Sequence, residues 1–142
     1  MKEKSKIAVA QLGARMHYAI PRMLHQHDCL EHLHTDIYCT ESMRWYANLI
    51  PNRVQPASLK RFFGRTPKNI PSNKITAYPR FGLEYHSRLS SAASIADVTK
   101  VNLWAGKRFC THVIKQGFGN AQSVYAFNTA ALEILDYAKS HG

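Results

Sequence analysis

The apolar pattern of the chain opens with a short run that predicts a buried strand. Residues 7–12 read Ile-Ala-Val-Ala-Gln-Leu and are followed by Gly13, which is typical of a strand that ends in a turn. Apolar residues then recur at helical spacing. Pro21 is tolerated in a first turn, so it places the start of this helix near Ala19 or Ile20. Strand, glycine turn and helix together form the opening of a βαβ unit.

The segments that follow alternate between strand and helix patterns. Residues 33–39 are the predicted second strand. Residues 74–81 are a weaker strand candidate, because Pro79 lacks the N–H needed for a ladder and restricts this strand to a sheet edge or a bent run. Residues 92–113 then show helical spacing, and residues 123–127 form a short apolar strand. This order predicts an α/β fold of Rossmann-like, three-layer type.

The last predicted element is a helix that follows the strand at 123–127. Asn128 and Thr129 have side chains that cap helices, and Glu133 falls near the first turn. A doubly wound sheet would continue with another strand, so we expect residues 1–142 to be a single domain of a truncated chain. The predicted buried face of this helix comprises Ala131, Leu132, Leu135 and Ala138.

Positive charge is concentrated in one proline-rich segment, residues 42–83. The chain has 19 Lys and Arg against 9 Asp and Glu, a net charge of +10. The segment contributes +8, since it contains eight basic and no acidic residues, and it holds five of the six prolines. Such a segment, with aromatic residues interleaved, can contact phosphates, an anionic membrane or nucleic acid, or form a basic surface excursion between core elements. Its basic residues are Arg44, Arg53, Lys60, Arg61, Arg65, Lys68, Lys74 and Arg80.

The overall composition argues against several classes of protein. Hydrophobic residues make up 45% of the chain, which is unlike a disordered protein. No run approaches the roughly 20 apolar residues of a membrane-spanning helix, and the apolar stretch near the N-terminus is too short for a signal peptide. Cys29, Cys39 and Cys110 form neither a disulfide framework nor a CxxC pair. We therefore expect reduced thiols and a cytoplasmic location.

A cluster of histidines lies between the first helix and the second strand. Imidazole, thiolate and carboxylate are all compatible with zinc, but their spacing here matches no zinc motif. A polar helix end and turn is the favoured interpretation, and we predict no metal site and no cofactor. The cluster comprises His25, His27, Cys29, His32 and His34, with Asp28, Glu31 and Asp36 beside them.

Two positions at the predicted carboxyl ends of strands are candidates for ligand binding. Gly13 begins a turn where a ligand can approach the backbone, and the amides of the following helix N-terminus favour anions; a packing turn is the alternative. Asn128 follows the last strand, where open α/β sheets bind ligands, although helix capping is the favoured role of this side chain. No GxGxxG, P-loop or GxSxG motif occurs, so no catalytic residue is assigned.

Three stretches of the chain together resemble glycosyltransferase family 4. They are residues 6–13, residues 49–65 with Ile-Pro-Asn-Arg and Phe-Phe-Gly-Arg, and residues 117–142, which are similar to a strand and helix of that family. The resemblance implies the N-terminal, Rossmann-like half of a GT-B fold, which binds the acceptor. The C-terminal half, whose signature does not occur here, binds the nucleotide sugar. The implied activity is hexosyl transfer to a glycan or lipid-linked acceptor, with the nucleotide-sugar-binding domain missing and the chain inactive alone.

The resemblance also implies roles for individual residues. The turn with Gly13, Arg15 and His17 would contact the acceptor, together with Asn128. Relatives often place a histidine at the position of Asn128, so no catalytic role is carried over to it. The basic segment would contact phosphate or an anionic membrane, which implies peripheral attachment at the inner membrane. The alternative, from charge alone, is a basic nucleic-acid-binding module. The implied anion contacts are Arg44, Arg53, Lys60, Arg61 and Arg65.

Overall fold

The computed structural model describes residues 4–51 and 53–141, so one position of the Ile-Pro-Asn-Arg motif, residue 52, lies outside the described residues. These two ranges fold into four strands and six α-helices. The strands are β1 (Ile7–Gln11), β2 (Leu30–Thr35), β3 (Ile75–Ala77) and β4 (Ser123–Ala126). The helices are α1 (Ala19–Gln26), α2 (Glu41–Asn48), α3 (Ala57–Phe63), α4 (Pro79–Ser90), α5 (Ile95–Gln116) and α6 (Leu132–His141).

The four strands form a parallel sheet in the order β3-β2-β1-β4. Ala10 of β1 lies between His34 of β2 and Ala126 of β4. The chain moves outward from β1 to β2 and β3, and then returns to the other side of β1 to form β4. This reversal in strand order is the switch point of a doubly wound sheet. Such sheets bind ligands there, beyond the carboxyl ends of the strands. The predicted Rossmann-like α/β fold is therefore confirmed.

Apolar side chains on both faces of the sheet build a three-layer core. On one face, Val9 of β1 packs with Leu33 of β2 and with Tyr18, and all three are fully buried. On the other face, Ala10 packs in the same cluster as Phe109 of α5. Successive residues of a strand point to opposite faces, which is why the neighbours Val9 and Ala10 meet different helix layers.

The second strand ends earlier than the predicted range, 33–39. β2 ends at Thr35, and the backbone then leaves the sheet. It does so because Asp36 enters a polar network and the N–H of Cys39 donates to the carbonyl of Arg65 at 2.8 Å. These contacts with the basic segment replace the ladder bonds that a longer strand would make.

The third strand lies at the edge of the sheet, as predicted, but it is shorter than the range 74–81. Pro79 begins α4, because a proline is tolerated in the first turn of a helix, where its missing N–H has no partner to lose. The sequence pattern predicts no helix at this position. α4 is therefore an element that the tertiary structure reveals.

The turn after β4 does not cap the last helix. α6 begins at Leu132, beyond the predicted cap at Asn128 and Thr129. The carbonyl of Thr129 lies against Gly106 of α5, where an added Cβ would stand 2.6 Å from that oxygen. α5 thus occupies the space beside this turn.

The buried face of α6 also differs from the predicted one. Ile134 is fully buried in the cluster that contains Phe109 of α5. Leu132 and Leu135, which the sequence places on the buried face, are 69% and 46% exposed. Packing against α5 therefore determines which side of α6 is covered.

α5 is the longest described helix, with 22 residues. It begins at Ile95, because the side chain of Ser94 accepts the N–H of Asp97 at 3.1 Å and caps it. Among the described helices, none combines the length and the apolar character needed to cross a bilayer.

Candidate functional site

A cleft of about 690 Å³ opens at the carboxyl edge of the sheet, beside the turn that follows β1. Its walls come from that turn, from the end of α3 and from α4. Its volume is within the usual range for small-ligand sites, roughly 300–1,000 Å³. No carboxylate lines it, so its charge suits an anion. The basic lining residues are Arg15, His17, Lys60, Arg61, Arg65 and His86.

Gly13 shapes the turn at this edge. Its φ of +83° is left-handed and favours glycine, and no heavy atom beyond its chain neighbours lies within 4 Å of the place a Cβ would take. Space is therefore open for a ligand to approach the backbone. The Gly13 N–H, however, donates to Oδ1 of Asp36 at 3.0 Å. This amide is already paired, so the anion-binding groups of the cleft are side chains.

Three successive residues of the same turn, Met16, His17 and Tyr18, have left-handed backbone conformations. Their φ angles are 50°, 50° and 59°, in a region that costs L-residues roughly 1–2 kcal/mol each. Such strain persists only where the surrounding structure holds it, and it is concentrated at functional sites. Here His17 lines the cleft, whereas Tyr18 is fully buried.

Gln11, the last residue of β1, holds the strained turn. Its side chain is buried, and Nε2 donates to the carbonyl of Gly13 at 2.9 Å and to that of Arg15 at 3.0 Å. The hydroxyl of Tyr18 donates to the carbonyl of Ile37 at 3.4 Å and anchors the other end. Burial raises the pKa of Tyr18 to about 12, so the phenol keeps its proton at neutral pH. These two buried side chains fix the turn in place.

Asp36 is the centre of a polar network beneath the cleft. Its side chain is fully buried, and Oδ2 lies 2.9 Å from Nη1 of Arg65 and 3.5 Å from Nε2 of His86. Burial by itself would raise the pKa of Asp36, but the contact with His86 and the charge of Arg65 outweigh it, and the pKa lies below its ordinary value. Asp36 therefore stays ionised and joins the turn at Gly13, the basic segment and α4.

Sequence reasoning named Asp36 only beside the histidine cluster, and it did not identify Gln11 or His86 as site residues. For Asp36 a signal was available, because it directly follows a strand, at the edge where α/β sheets bind ligands. His86 lies on α4, which the sequence pattern does not predict.

A second cleft, of about 430 Å³, adjoins the first and is also basic. The two clefts share His17, Lys60 and Gly64, so their positive surfaces meet. No Asp or Glu lines the second cleft. Its other basic residues are Arg22, Arg44 and Lys68.

Most of the predicted site residues converge on these two clefts. The turn after β1 and the basic segment are far apart in the chain, and they meet at this edge of the sheet. Arg53 and Asn128 are exceptions, since both are exposed and neither lines either cleft. The predicted residues that line the clefts are Gly13, Arg15, His17, Arg44, Lys60, Arg61 and Arg65.

The histidines of β2 bond to hydroxyl groups. His32 and His34 share a strand face, with ring centroids 5.0 Å apart. His32 bonds to Thr76 at 2.6 Å and His34 to Tyr78 at 3.0 Å. Burial lowers the pKa of His34 to about 4, so this ring is neutral at physiological pH. Within residues 4–51 and 53–141, no group of three His, Cys, Asp or Glu side chains is placed to hold a metal ion.

Comparison with known proteins gives no match for this chain. No family model matches it, and neither a curated protein nor a solved structure does. Its function is therefore inferred from the motifs of the sequence together with the geometry and charge of the two clefts.

Proposed function

We propose that this chain is the acceptor-side domain of a GT-B glycosyltransferase, as its resemblance to glycosyltransferase family 4 implies. The basic clefts hold the phosphate or diphosphate of the acceptor, and a second domain supplies the nucleotide sugar for hexosyl transfer. The domain acts in the cytoplasm, peripherally attached to the inner membrane, where lipid-linked acceptors are held.

The observation that carries this proposal is the cleft at the carboxyl edge of β1. Parallel α/β sheets bind ligands beyond the carboxyl ends of their strands, and this cleft lies beside the turn that follows β1, the strand next to the switch point. Its lining has basic residues from three separate parts of the chain and no carboxylate. Such a lining favours a ligand that carries several negative charges close together.

The available charge is sufficient for a diphosphate. Arg65 is neutralised by Asp36 at 2.9 Å, so Arg15, Lys60 and Arg61 supply the positive potential of the first cleft. Guanidinium groups donate paired hydrogen bonds to phosphate oxygens. The second cleft adds further cations beyond Lys60. Two adjoining basic clefts therefore suit two linked phosphates better than one.

Calorimetric titration of the full chain with inorganic diphosphate tests the proposal. We expect the double variant Arg15→Gln/Lys60→Gln to bind diphosphate about tenfold or more weakly, because two charge-assisted contacts are lost. The matched control is Lys100→Gln/Arg108→Gln, which removes the same charge from exposed positions of α5 outside both clefts. Equal weakening in both double variants, or no binding by the unmodified chain, contradicts the proposal.

A short single-stranded oligonucleotide tests the nucleic-acid alternative in the same assay. Bases stack on aromatic side chains, and Trp45 of the basic segment is 60% exposed. If the oligonucleotide binds more tightly than diphosphate, and Trp45→Ala removes that binding, nucleic-acid recognition replaces the proposed function. We expect Trp45→Ala to leave diphosphate binding unchanged, since Trp45 lines neither basic cleft.

A further inference from the structure

We infer that the acceptor is carried on a single-chain lipid diphosphate, whose hydrocarbon chain lies in an apolar groove beside the basic clefts. This inference rests on the proposed function and deepens it, because it selects the lipid-linked acceptor over the soluble glycan.

The groove lies between α3 and α4 and has a volume of about 590 Å³. Its lining is apolar over most of its length, with serines and basic residues elsewhere. It is a feature of the tertiary structure alone, because α4 is not predicted from the sequence pattern. The apolar lining residues are Ile37, Leu59, Phe62, Leu83 and Leu89.

The apolar groups of this groove remain accessible to solvent. No residue of α3 is buried, so Leu59 and Phe62 are only half-covered. Leu83 of α4 is 66% exposed. Removing such surface from water is favourable, and a contiguous apolar surface rimmed by polar residues is typical of a binding site. A hydrocarbon chain that covers the groove would therefore bind more tightly, because it removes this apolar surface from water.

Charge next to the groove indicates which apolar ligand it takes. The groove and the first basic cleft share Arg61, Arg65, His86 and Leu89, so one end of the groove opens onto the cations. A ligand with its phosphate at Arg61 therefore has its chain beside Phe62. An uncharged hydrocarbon would leave Arg61 without an anionic partner, and a soluble phosphate would leave the groove uncovered. The two basic clefts favour a diphosphate, and the single groove favours one chain over two.

Calorimetric titration with farnesyl diphosphate and with inorganic diphosphate tests this inference on the full chain. We expect farnesyl diphosphate to bind roughly tenfold or more tightly than diphosphate, because its chain leaves water. Leu83→Asn should weaken farnesyl diphosphate binding about fivefold and leave diphosphate binding unchanged. The matched control is Leu103→Asn on α5, since Leu103 is 65% exposed and lies outside the groove. We expect it to change neither affinity.

The outcomes separate this inference from the function on which it rests. Equal affinity for farnesyl diphosphate and diphosphate overturns the inference and leaves the phosphate-binding function standing. If neither probe binds, both fail. Equal weakening of farnesyl diphosphate binding by Leu83→Asn and Leu103→Asn would show that the hydrocarbon chain makes unspecific apolar contacts. That result would overturn its placement in the groove. Dioctanoyl phosphatidic acid that binds as tightly as farnesyl diphosphate would overturn the choice of a single-chain diphosphate.

Discussion

His34 and Asp36 are buried polar residues two positions apart, but His34 is neutral and Asp36 is ionised. Burial disfavours the charged form of both. For His34, burial and the neighbouring His32 lower the pKa to about 4, and the ring is neutral at pH 7. For Asp36, contacts with His86 and Arg65 overcome the cost of burial, and the carboxylate stays charged. One residue therefore belongs to the core, and the other organises the cleft.

The neutral, buried His34 makes stability depend on pH. Its pKa is about 4 in the folded chain and 6.5 in the unfolded one. The contribution of His34 to the free energy of unfolding is therefore complete above pH 6.5. It is lost as the pH falls toward 4, because the unfolded chain binds the proton more readily than the folded one. The expected loss is on the order of 3 kcal/mol. The pKa values of His32 and His112 are also lowered by burial and act in the same direction.

Urea denaturation at several pH values between about 7 and 4 measures this dependence. We expect His34→Gln to flatten the fall in unfolding free energy with pH, and the exposed His27→Gln to leave it unchanged. The prediction is wrong if His34→Gln and the unmodified chain lose the same free energy over this range.

Two glycines determine how closely the helices approach the sheet and its loops. At Gly82 of α4, an added Cβ would overlap the side chain of Ile37, which follows β2. At Gly106 of α5, it would stand 2.6 Å from the carbonyl oxygen of Thr129. The first contact brings α4, and with it His86, close to Asp36. The second places α5 against the turn that carries Asn128.

The substitution Gly106→Ala tests the packing of α5. The clash is with a backbone oxygen, so we expect a net loss of about 1–3 kcal/mol in unfolding free energy, although alanine favours helices by about 1 kcal/mol. Gly64→Ala is the control, because its nearest contact is 3.4 Å and its φ is −69°. That change should be neutral or slightly stabilising. Urea denaturation that shows equal stability for both variants would exclude this packing.

At the scale of the whole molecule, the basic segment folds over the carboxyl edge of the sheet. Five of its eight basic residues line the two clefts. Lys74 is used differently, since Nζ donates to the carbonyl of Leu30 at 2.8 Å. Arg65 is tied to buried Asp36, so it serves the fold as well as the charge of the surface. The five cleft-lining residues are Arg44, Lys60, Arg61, Arg65 and Lys68.

This charge predicts adsorption to vesicles that contain anionic lipid. Each basic residue near such a surface contributes roughly 1 kcal/mol, so the triple variant Arg44→Ser/Lys60→Ser/Arg61→Ser should bind about a hundredfold more weakly. Arg65 is left unchanged because its loss would remove the guanidinium group that pairs with the buried carboxylate of Asp36.

Vesicle sedimentation at increasing salt measures the effect. Binding should fall as the Debye length shortens from about 10 Å at 0.1 M to about 3 Å at 1 M. The control variant Lys100→Ser/Arg108→Ser/Lys139→Ser removes the same charge from α5 and α6 and should lose much less affinity. Absence of adsorption at low salt, or equal loss in both triple variants, would show that the segment is only a solvated surface.

The sequence by itself determined the elements whose signals are local. The run at β1 ends at Gln11, and α1 begins at Ala19, where Pro21 allows it to begin. The alternation of strand and helix was sufficient to predict the parallel α/β sheet. It also identified the turn at Gly13 and the basic segment as two separate candidates for anion binding, because glycine after a strand and a run of cations are visible without any long-range contact.

Only the tertiary structure joined those two candidates into one site. The contacts of Asp36 with Gly13 and Arg65 link residues 23 and 29 positions apart, and no local pattern encodes them. The same holds for α6, where apolar residues occur on more than one side and α5 selects Ile134 as the buried one. Hydrophobic spacing specifies that a helix has an apolar side, but the neighbouring element that removes it from water decides which side is buried.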